Sequence, residues 1–248
     1  MGQYDNIYDK IQELLGSIPG NVTILEQQID ADVQLEYYNY TQKLEDSFNP
    51  EEVLKNREII FSNDLTLDHK KHLLVQLANI DSIEAYRTLE KYMNGSQDQL
   101  KDWAKLALQE CRLLLESKLL DKSQVLISTG LGGKGLKLRY FTVLLASNLK
   151  HYSAFEKKIV TEEVLFAIKK SKGELEQIQF DKELCTIISI IPLQIPVQGL
   201  FDELINECNQ YGDFLNPDYI ITNVKVLPNN QIRKMIGYSR IKNKTRKV

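Results

Sequence analysis

Residues 123–147, SQVLISTGLGGKGLKLRYFTVLLAS, mark the point at which the character of the sequence changes. Before this stretch, apolar residues recur at helical spacing. Within it, branched and aromatic residues stand on both sides of a run of glycines, which is typical of two strands joined by a loop. The stretch therefore predicts a helical part that ends near residue 121 and a mixed part that follows it.

The sequence after residue 121 predicts an α+β sandwich with a mainly antiparallel sheet. Its elements follow in the order strand, strand, helix, strand, strand, helix, strand, and Ser153 with Glu156 forms a capping box at the first helix. Asp181 and Lys182 separate two strand-like segments, ELEQIQF and ELCTIISII, which indicates a hairpin. Without the first strand the order is βαββαβ, so we expect a ferredoxin-like order plus one extra N-terminal strand over residues 122–230.

The sequence before residue 121 predicts amphipathic helices. Asn49 followed by Pro50 is a strong helix start, because asparagine caps the first turn and proline suits its first position. A later helix carries Trp103 on its apolar face, so we expect the indole ring to be buried. Residues 1–121 are therefore predicted to form a helical module.

Part of this module resembles a known repeat family. Residues 73–116, LLVQLANIDSIEAYRTLEKYMNGSQDQLKDWAKLALQECRLLLE, resemble a HEAT-type helical repeat, with two amphipathic helices joined by a tight turn and a third helix that begins the next repeat. The resemblance covers about one and a half repeats. It implies a surface that binds protein or nucleic acid rather than a catalytic site. An irregular helical bundle would produce nearly the same pattern.

The overall composition is that of a globular protein. Hydrophobic residues make up 43% and charged residues 26% of the 248 residues. We expect a cytoplasmic protein without membrane contact, because the sequence has no apolar run of about 18 residues and no signal-peptide pattern. Cys111, Cys185 and Cys208 are widely separated and stand among apolar residues, so we expect buried free thiols.

The net charge of −3 is unevenly distributed along the chain. From Tyr219 to Val248 the sequence has eight Lys or Arg residues and no Asp or Glu. We call residues 231–248 the basic tail and predict that it contacts nucleic acid. A solvated chain end and a segment that docks on an acidic protein surface are the alternatives. Its candidate contact residues are Arg233, Lys234, Arg240, Lys242, Lys244, Arg246 and Lys247.

The glycines of residues 130–135, the glycine-rich stretch, form the second candidate site. They match the G-x-G-x-x-G spacing of dinucleotide-binding proteins, but a strand follows where that motif needs a helix. One interpretation is a wide loop whose glycines supply positive φ angles. The other is an anion site for a phosphate group. That site would comprise Gly130, Gly132, Gly133, Lys134, Gly135, Lys137 and Arg139.

No motif in the sequence indicates a hydrolase, a kinase or a zinc enzyme. His69 and His72 share a helix with lysines between them, which favours a solvated face over metal ligation, so we predict no cofactor and no metal. The leading hypothesis is a non-enzymatic, cytoplasmic binding or adaptor protein with a protein partner and with nucleic acid or a ribonucleoprotein at the glycine-rich stretch and the basic tail. The alternative is an enzyme or sensor that binds a small phosphorylated ligand at the glycine-rich stretch.

Overall fold

A computed structural model of the protein describes residues 22–43, 48–95 and 99–236. The contacts divide the chain into two units, and the division falls between Leu138 and Arg139. Each unit has an apolar core of its own.

The first unit is mainly helical, as the sequence predicts. The predicted helix start at Asn49 is confirmed, because its Oδ1 accepts hydrogen bonds from the backbone N–H groups of Glu51 and Glu52 at 3.0 and 3.4 Å. A short 3₁₀ helix follows at Arg57–Phe61. The α-helices of this unit are α1 (Ala31–Thr41), α2 (Pro50–Asn56), α3 (Leu67–Ala78), α4 (Ile83–Gly95) and α5 (Lys101–Leu120).

Trp103 of α5 lies at the centre of aromatic contacts in the helical core. Only 2% of its surface is exposed, which confirms its predicted burial. The rings of Tyr37 and Tyr40 meet the indole edge-on, at centroid distances of 5.2 and 5.4 Å. The ammonium group of Lys71 lies 4.7 Å from the centroid of the indole. The indole therefore joins α1, α3 and α5 through apolar and cation–π contacts.

The short strands of the first unit differ from the predicted hairpin. Strand β1 (Val22–Ile24) pairs in parallel with β2 (Val125–Ile127), and Val22 lies opposite Val125. Strand β3 (Gly133–Lys134) pairs with the start of β4 (Lys137–Leu145) in antiparallel orientation. The predicted pairing of β2 with β4 is therefore wrong. The strand that does pair with β2 is β1, which is three residues long and about a hundred positions earlier in the chain, so no local sequence pattern reveals it.

The second unit has the predicted mixed α+β class. Its strand order is β7-β4-β6-β5, β7 pairs antiparallel to β4, and β5 pairs antiparallel to β6. The N–H of Ala146, just after β4, donates to the carbonyl of Glu183, just before β6, so these neighbouring strands also run in opposite directions. The elements after β4 are α6 (Ala154–Lys170), β5 (Glu174–Asp181), β6 (Leu184–Pro192), α7 (Val197–Asn209) and β7 (Ile220–Thr222).

Helices α6 and α7 bury apolar side chains in one core with β4 and β6. The predicted capping box of α6 is confirmed, because Ser153 Oγ accepts from the N–H of Glu156 and the Glu156 carboxylate accepts from the N–H of Ser153. The three cysteines are buried and free, as predicted. Burial raises the pKa of Cys111 to about 11 and that of Cys208 to about 12, so these thiols stay protonated at neutral pH.

The end of α5 lies where the sequence changes character. The helix ends at Leu120, and Asp121 has a left-handed backbone with a φ of 49°. The division into units falls later because β2 pairs with β1, which joins the residues after α5 to the helical unit. The predicted modules 1–121, 122–230 and 231–248 remain a prediction about which fragments fold alone. Among the described residues, no helix is both long and apolar enough to cross a membrane.

Replacing Trp103 with alanine tests the role of the indole in the helical core. We expect Trp103→Ala to lower the free energy of unfolding by about 3–5 kcal/mol. The substitution leaves a cavity in the core and removes the contacts that the indole makes between α1, α3 and α5. Leu119→Ala is the control on the same helix, because Leu119 is 82% exposed and should change stability by less than about 0.5 kcal/mol. Urea unfolding measures both, and a loss below about 1 kcal/mol for Trp103→Ala would contradict this packing.

Glu110 of α5 is a half-buried carboxyl group in the helical unit, and the hydroxyl of Tyr37 donates to its Oε2. Burial raises the pKa of Glu110 above its ordinary value and outweighs the hydrogen bond from Tyr37, which lowers it. The folded state therefore binds this proton more readily than the unfolded chain. The contribution of Glu110 to the free energy of unfolding is therefore largest at a pH below the pKa that this carboxyl group has in the unfolded chain. The contribution is lost as the pH rises through the higher pKa that the group has in the folded state.

Glu110→Gln tests this carboxyl group. We expect the variant to be more stable than the parent at neutral pH, because it removes the cost of a buried charge and keeps an acceptor for Tyr37. The difference should vanish below the ordinary glutamate pKa of about 4.3. Urea unfolding across pH measures it, with exposed Glu52→Gln as the control. A variant that is less stable than the parent at neutral pH would show that Glu110 is stabilising as a charge.

Candidate anion-binding segments

Close backbone packing accounts for two glycines of the glycine-rich stretch. Gly132 has a φ of +67°, and a Cβ atom there would lie 2.4 Å from the carbonyl oxygen of Glu26. A Cβ atom on Gly133 would lie 2.2 Å from the carbonyl oxygen of Lys137 and 2.7 Å from Cγ2 of Ile24. Real Cβ atoms do not approach other atoms this closely, so only glycine fits at both positions.

Gly135 donates its backbone N–H to a carboxylate of the same chain. The acceptor is Oε1 of Glu26, at 2.9 Å. Gly135 has a φ of +57°, and no atom lies within 4 Å of the position that a Cβ atom would take. Glycine is therefore favoured here by the left-handed backbone conformation and not by close packing. The carboxylate of Glu26 already occupies a donor that a phosphate would need. Its negative charge also disfavours a second anion nearby.

The basic residues predicted for the anion site lie in different surroundings. Lys134 is exposed on β3, and Lys137 is half-buried at the start of β4. Arg139 belongs to the second unit, where its Nε and Nη2 donate to the two carboxylate oxygens of Glu176 at 2.6 and 2.9 Å. Gly130 lies in the turn between β2 and β3. The structure thus brings the glycines and both lysines together in the first unit and holds Arg139 in a two-point ion pair with Glu176.

The basic tail begins in an anchored helix. Residues 229–236 are helical, and Ile232 is completely buried. Arg233 Nε donates to Glu183 Oε1 and its Nη2 donates to Asp181 Oδ2, both at 2.8 Å. These two carboxylates flank the turn between β5 and β6. The start of the tail is therefore held to this hairpin by one doubly paired guanidinium group, and its helical segment also buries one apolar side chain.

The carboxylates that hold Arg233 respond to its charge. The hydrogen bond from Arg233 is the main reason why the pKa of Asp181 lies below its ordinary value, and Asn229 Nδ2 donates a further hydrogen bond to Asp181 Oδ2 at 2.7 Å. The charge of Arg233 is thus compensated inside the chain. Lys234 is exposed on the same helical segment. The remaining candidate residues of the tail lie outside the described residues, namely Arg240, Lys242, Lys244, Arg246 and Lys247.

The histidines of α3 make local contacts. Nδ1 of His69 lies 2.9 Å from Oγ1 of Thr66, the residue that caps this helix. The ring of His72 meets the ring of Tyr40 edge-on at a centroid distance of 6.4 Å. In the described ranges, no three His, Cys, Asp or Glu side chains form a group that could hold a metal ion.

Sequence reasoning missed the acidic partners of the predicted basic sites. Glu176 and the pair Asp181 and Glu183 lie on a hairpin that the sequence does predict, so their proximity to a basic residue could have been considered. Glu26 lies 109 positions before Gly135, and no local signal connects the two residues. These carboxylates weaken the attraction of both candidate segments for an external anion. Each one already accepts a hydrogen bond from a donor, or pairs with a cation, that would otherwise bind the anion.

Comparisons with known proteins do not identify a family. No protein-family model matches the chain, and no curated protein matches it. Among solved structures, the chain is similar to a candidate transposase from Deinococcus radiodurans R1. The TM-score is 0.37 and the sequence identity is 14%, over 43% of this chain and 93% of that chain. At this level of similarity the match indicates neither a family nor a function.

Two alanine substitutions separate the packing role of the glycines from a binding role. We expect Gly133→Ala to lower the free energy of unfolding by more than about 2 kcal/mol, because its methyl group would overlap the Lys137 carbonyl. Gly135→Ala is the matched variant, and it should cost only about 1–2 kcal/mol, the penalty for an L-residue in a left-handed conformation. Chemical unfolding measures both. Equal and small losses would contradict the packing account of Gly133.

Proposed function

We propose that the protein is a non-enzymatic binding or adaptor protein that contacts nucleic acid or a ribonucleoprotein through its basic tail. In this proposal the helical unit, with its resemblance to HEAT repeats, offers a surface for a protein partner, and the protein acts in the cytoplasm. The observation that carries the proposal is the attachment of the tail through Arg233, which pairs with Asp181 and Glu183. It anchors a strongly basic segment to a folded α+β unit.

The attachment separates two kinds of basic residue. Arg233 is already paired with Asp181 and Glu183, so it adds little to the attraction of an external anion. The basic residues beyond it have no acidic residue near them in sequence, since Asp and Glu are absent from Tyr219 to Val248. Binding by phosphate neutralisation would therefore depend on Arg240, Lys242, Lys244, Arg246 and Lys247.

The glycine-rich stretch supports the alternative of a phosphorylated ligand less well. Gly132 and Gly133 are explained by close packing, and the N–H of Gly135 is bound to Glu26. A phosphate at this position would need to displace a carboxylate of the protein. The tail is the better candidate because its distal cations follow Arg233, whose own charge is already compensated.

The fold supports a binding role without specifying the ligand. The strands on either side of α6, β4 and β5, are separated in the sheet by β6, which is the arrangement of a split βαβ unit. This strand order supports the proposed ferredoxin-like assignment, with β3 as an additional short strand beside β4. Helices α3, α4 and α5 share one core, which supports either a HEAT-like pair or a bundle. Unrelated functions occur on such folds, so the tail carries the functional argument.

The dependence of affinity on salt tests the tail. We expect the intact protein to bind single-stranded and duplex RNA or DNA with an affinity that falls as salt rises, because each phosphate contact releases counterions. Truncation after Gly237 removes five basic residues and should flatten the log–log slope by roughly 0.7–0.9 for each contact that is lost. Fluorescence anisotropy across a salt series measures the slope.

A triple variant of the glycine-rich stretch is the matched control. Lys134→Ala, Lys137→Ala and Arg139→Ala together should leave the slope unchanged if the tail alone binds, and should flatten it if this stretch also contacts phosphates. Truncated and intact chains with the same slope would contradict the proposal. An affinity of the intact chain weaker than the roughly 10⁻⁴ M limit of non-specific binding would also contradict it.

A further inference from the structure

Helix α6 exposes large apolar side chains on its outer surface. Phe155 is 63% exposed, Phe166 is 64% exposed, and Leu165 next to Phe166 is also exposed. Phe155 and Phe166 stand eleven positions apart, about three helical turns, so they lie on one face of the helix. Phe155 lies near one end of this face, and Phe166 with Leu165 forms an exposed apolar pair toward the other end, so the face offers two apolar contact points to a partner.

The charged residues around this face are mainly basic. The exposed charged residues on this side of α6 are three lysines and one glutamate, namely Lys158, Lys169, Lys170 and Glu162, while Lys157 is exposed on the other side of the helix. Within the chain, Lys158 lies 3.9 Å from Glu162 and Lys170 lies 3.2 Å from Glu203 of α7. Lys157 lies 5.8 Å from the centroid of the Phe180 ring. Lys158 and Lys170 each have one acidic partner, and the outer surface of α6 keeps a net charge of +2, from Lys158, Lys169 and Lys170 against Glu162.

Helix α7 lies beside α6 and has the opposite charge. Its sequence, VQGLFDELINECN, contains no Lys or Arg, and all three of its acidic residues, Asp202, Glu203 and Glu207, are exposed. Gly199 lies on the same exposed face, with no atom within 4 Å of the position of its absent Cβ. Gly199 is the third residue of α7, so the open position lies in the first turn of the helix.

We propose that the α6–α7 surface is the contact between two copies of this chain. The surface consists of one basic, aromatic helix beside one acidic helix with an open position. A two-fold axis that runs along the helices would place α6 of one copy opposite α7 of the other, and the reverse. In each of the two contacts, the basic helix α6 of one copy then meets the acidic helix α7 of the other copy. The phenylalanines of each copy face the helix that carries Gly199.

A second copy fits this surface better than other occupants do. An acidic protein segment would match α6 but would leave it next to Asp202, Glu203 and Glu207 of α7, which repel it. Nucleic acid would meet the same three carboxylates. Only an occupant with adjoining basic and acidic halves matches the whole surface, and another copy of α6 and α7 provides that arrangement.

The oligomeric state of the full chain tests the proposal. We expect light scattering after size exclusion to give twice the monomer mass at low salt, with dissociation on dilution and on addition of salt, because exposed charges contribute to the contact. Phe155→Ser combined with Phe166→Ser should give the monomer mass with an unchanged circular dichroism spectrum. Leu119→Ser is the matched control, because it removes an exposed apolar side chain from the other unit and should leave the dimer intact.

Charge reversal gives a second, independent readout. Lys158→Glu with Lys169→Glu should produce a monomer, and so should Glu203→Lys with Glu207→Lys. Mixing the two variants should restore a species of twice the monomer mass, since each then carries the charge that the other lacks. A parent protein that is monomeric at every concentration would overturn the proposal. So would a dimer that survives both the phenylalanine and the charge variants, or a monomer that binds polyglutamate or RNA through this surface instead.

Discussion

The close contact between the glycine-rich stretch and residues 24–27 determines much of the organisation of the first unit. Gly132 and Gly133 approach the backbone of Glu26 and the side chain of Ile24, and Gly135 donates to the Glu26 carboxylate. Directly beside this contact, β1 and β2 pair in parallel. The contact therefore joins the start of the described chain to the residues that follow α5. Gly133 is also the first residue of β3, which pairs with the start of β4.

Internal carboxylates compensate donors and cations that a motif-based interpretation assigns to a ligand. Glu26 accepts from Gly135, Glu176 pairs with Arg139, and Asp181 with Glu183 pairs with Arg233. Each arrangement replaces an external anion by an acidic residue of the protein. The consequence is a division of roles, in which basic residues near the folded core serve the structure. Those farther along the basic tail remain the candidates for binding.

The predictable parts of the fold are those with local causes. The helix starts at Asn49 and Ser153 follow from capping side chains, and the hairpin of β5 and β6 follows from an alternating strand and an apolar strand around a polar turn. The burial of Trp103 follows from helical periodicity. The β1–β2 pair and the role of Glu26 could not be predicted, because they join residues about a hundred positions apart, and three-residue strands carry little pattern. The glycine spacing was therefore ambiguous: the same residues suit a phosphate loop and a close backbone contact.

We propose that the glycine-rich stretch is structural and that the basic tail carries the anionic contact. Amide chemical shifts of the isotope-labelled full chain, recorded with and without a short single-stranded oligonucleotide, test it residue by residue. The account predicts that amide signals in residues 237–248 shift on addition of the oligonucleotide, while those of Gly132, Gly133 and Gly135 stay in place. Shifts that are concentrated at these three glycines, with an unchanged tail, would contradict it.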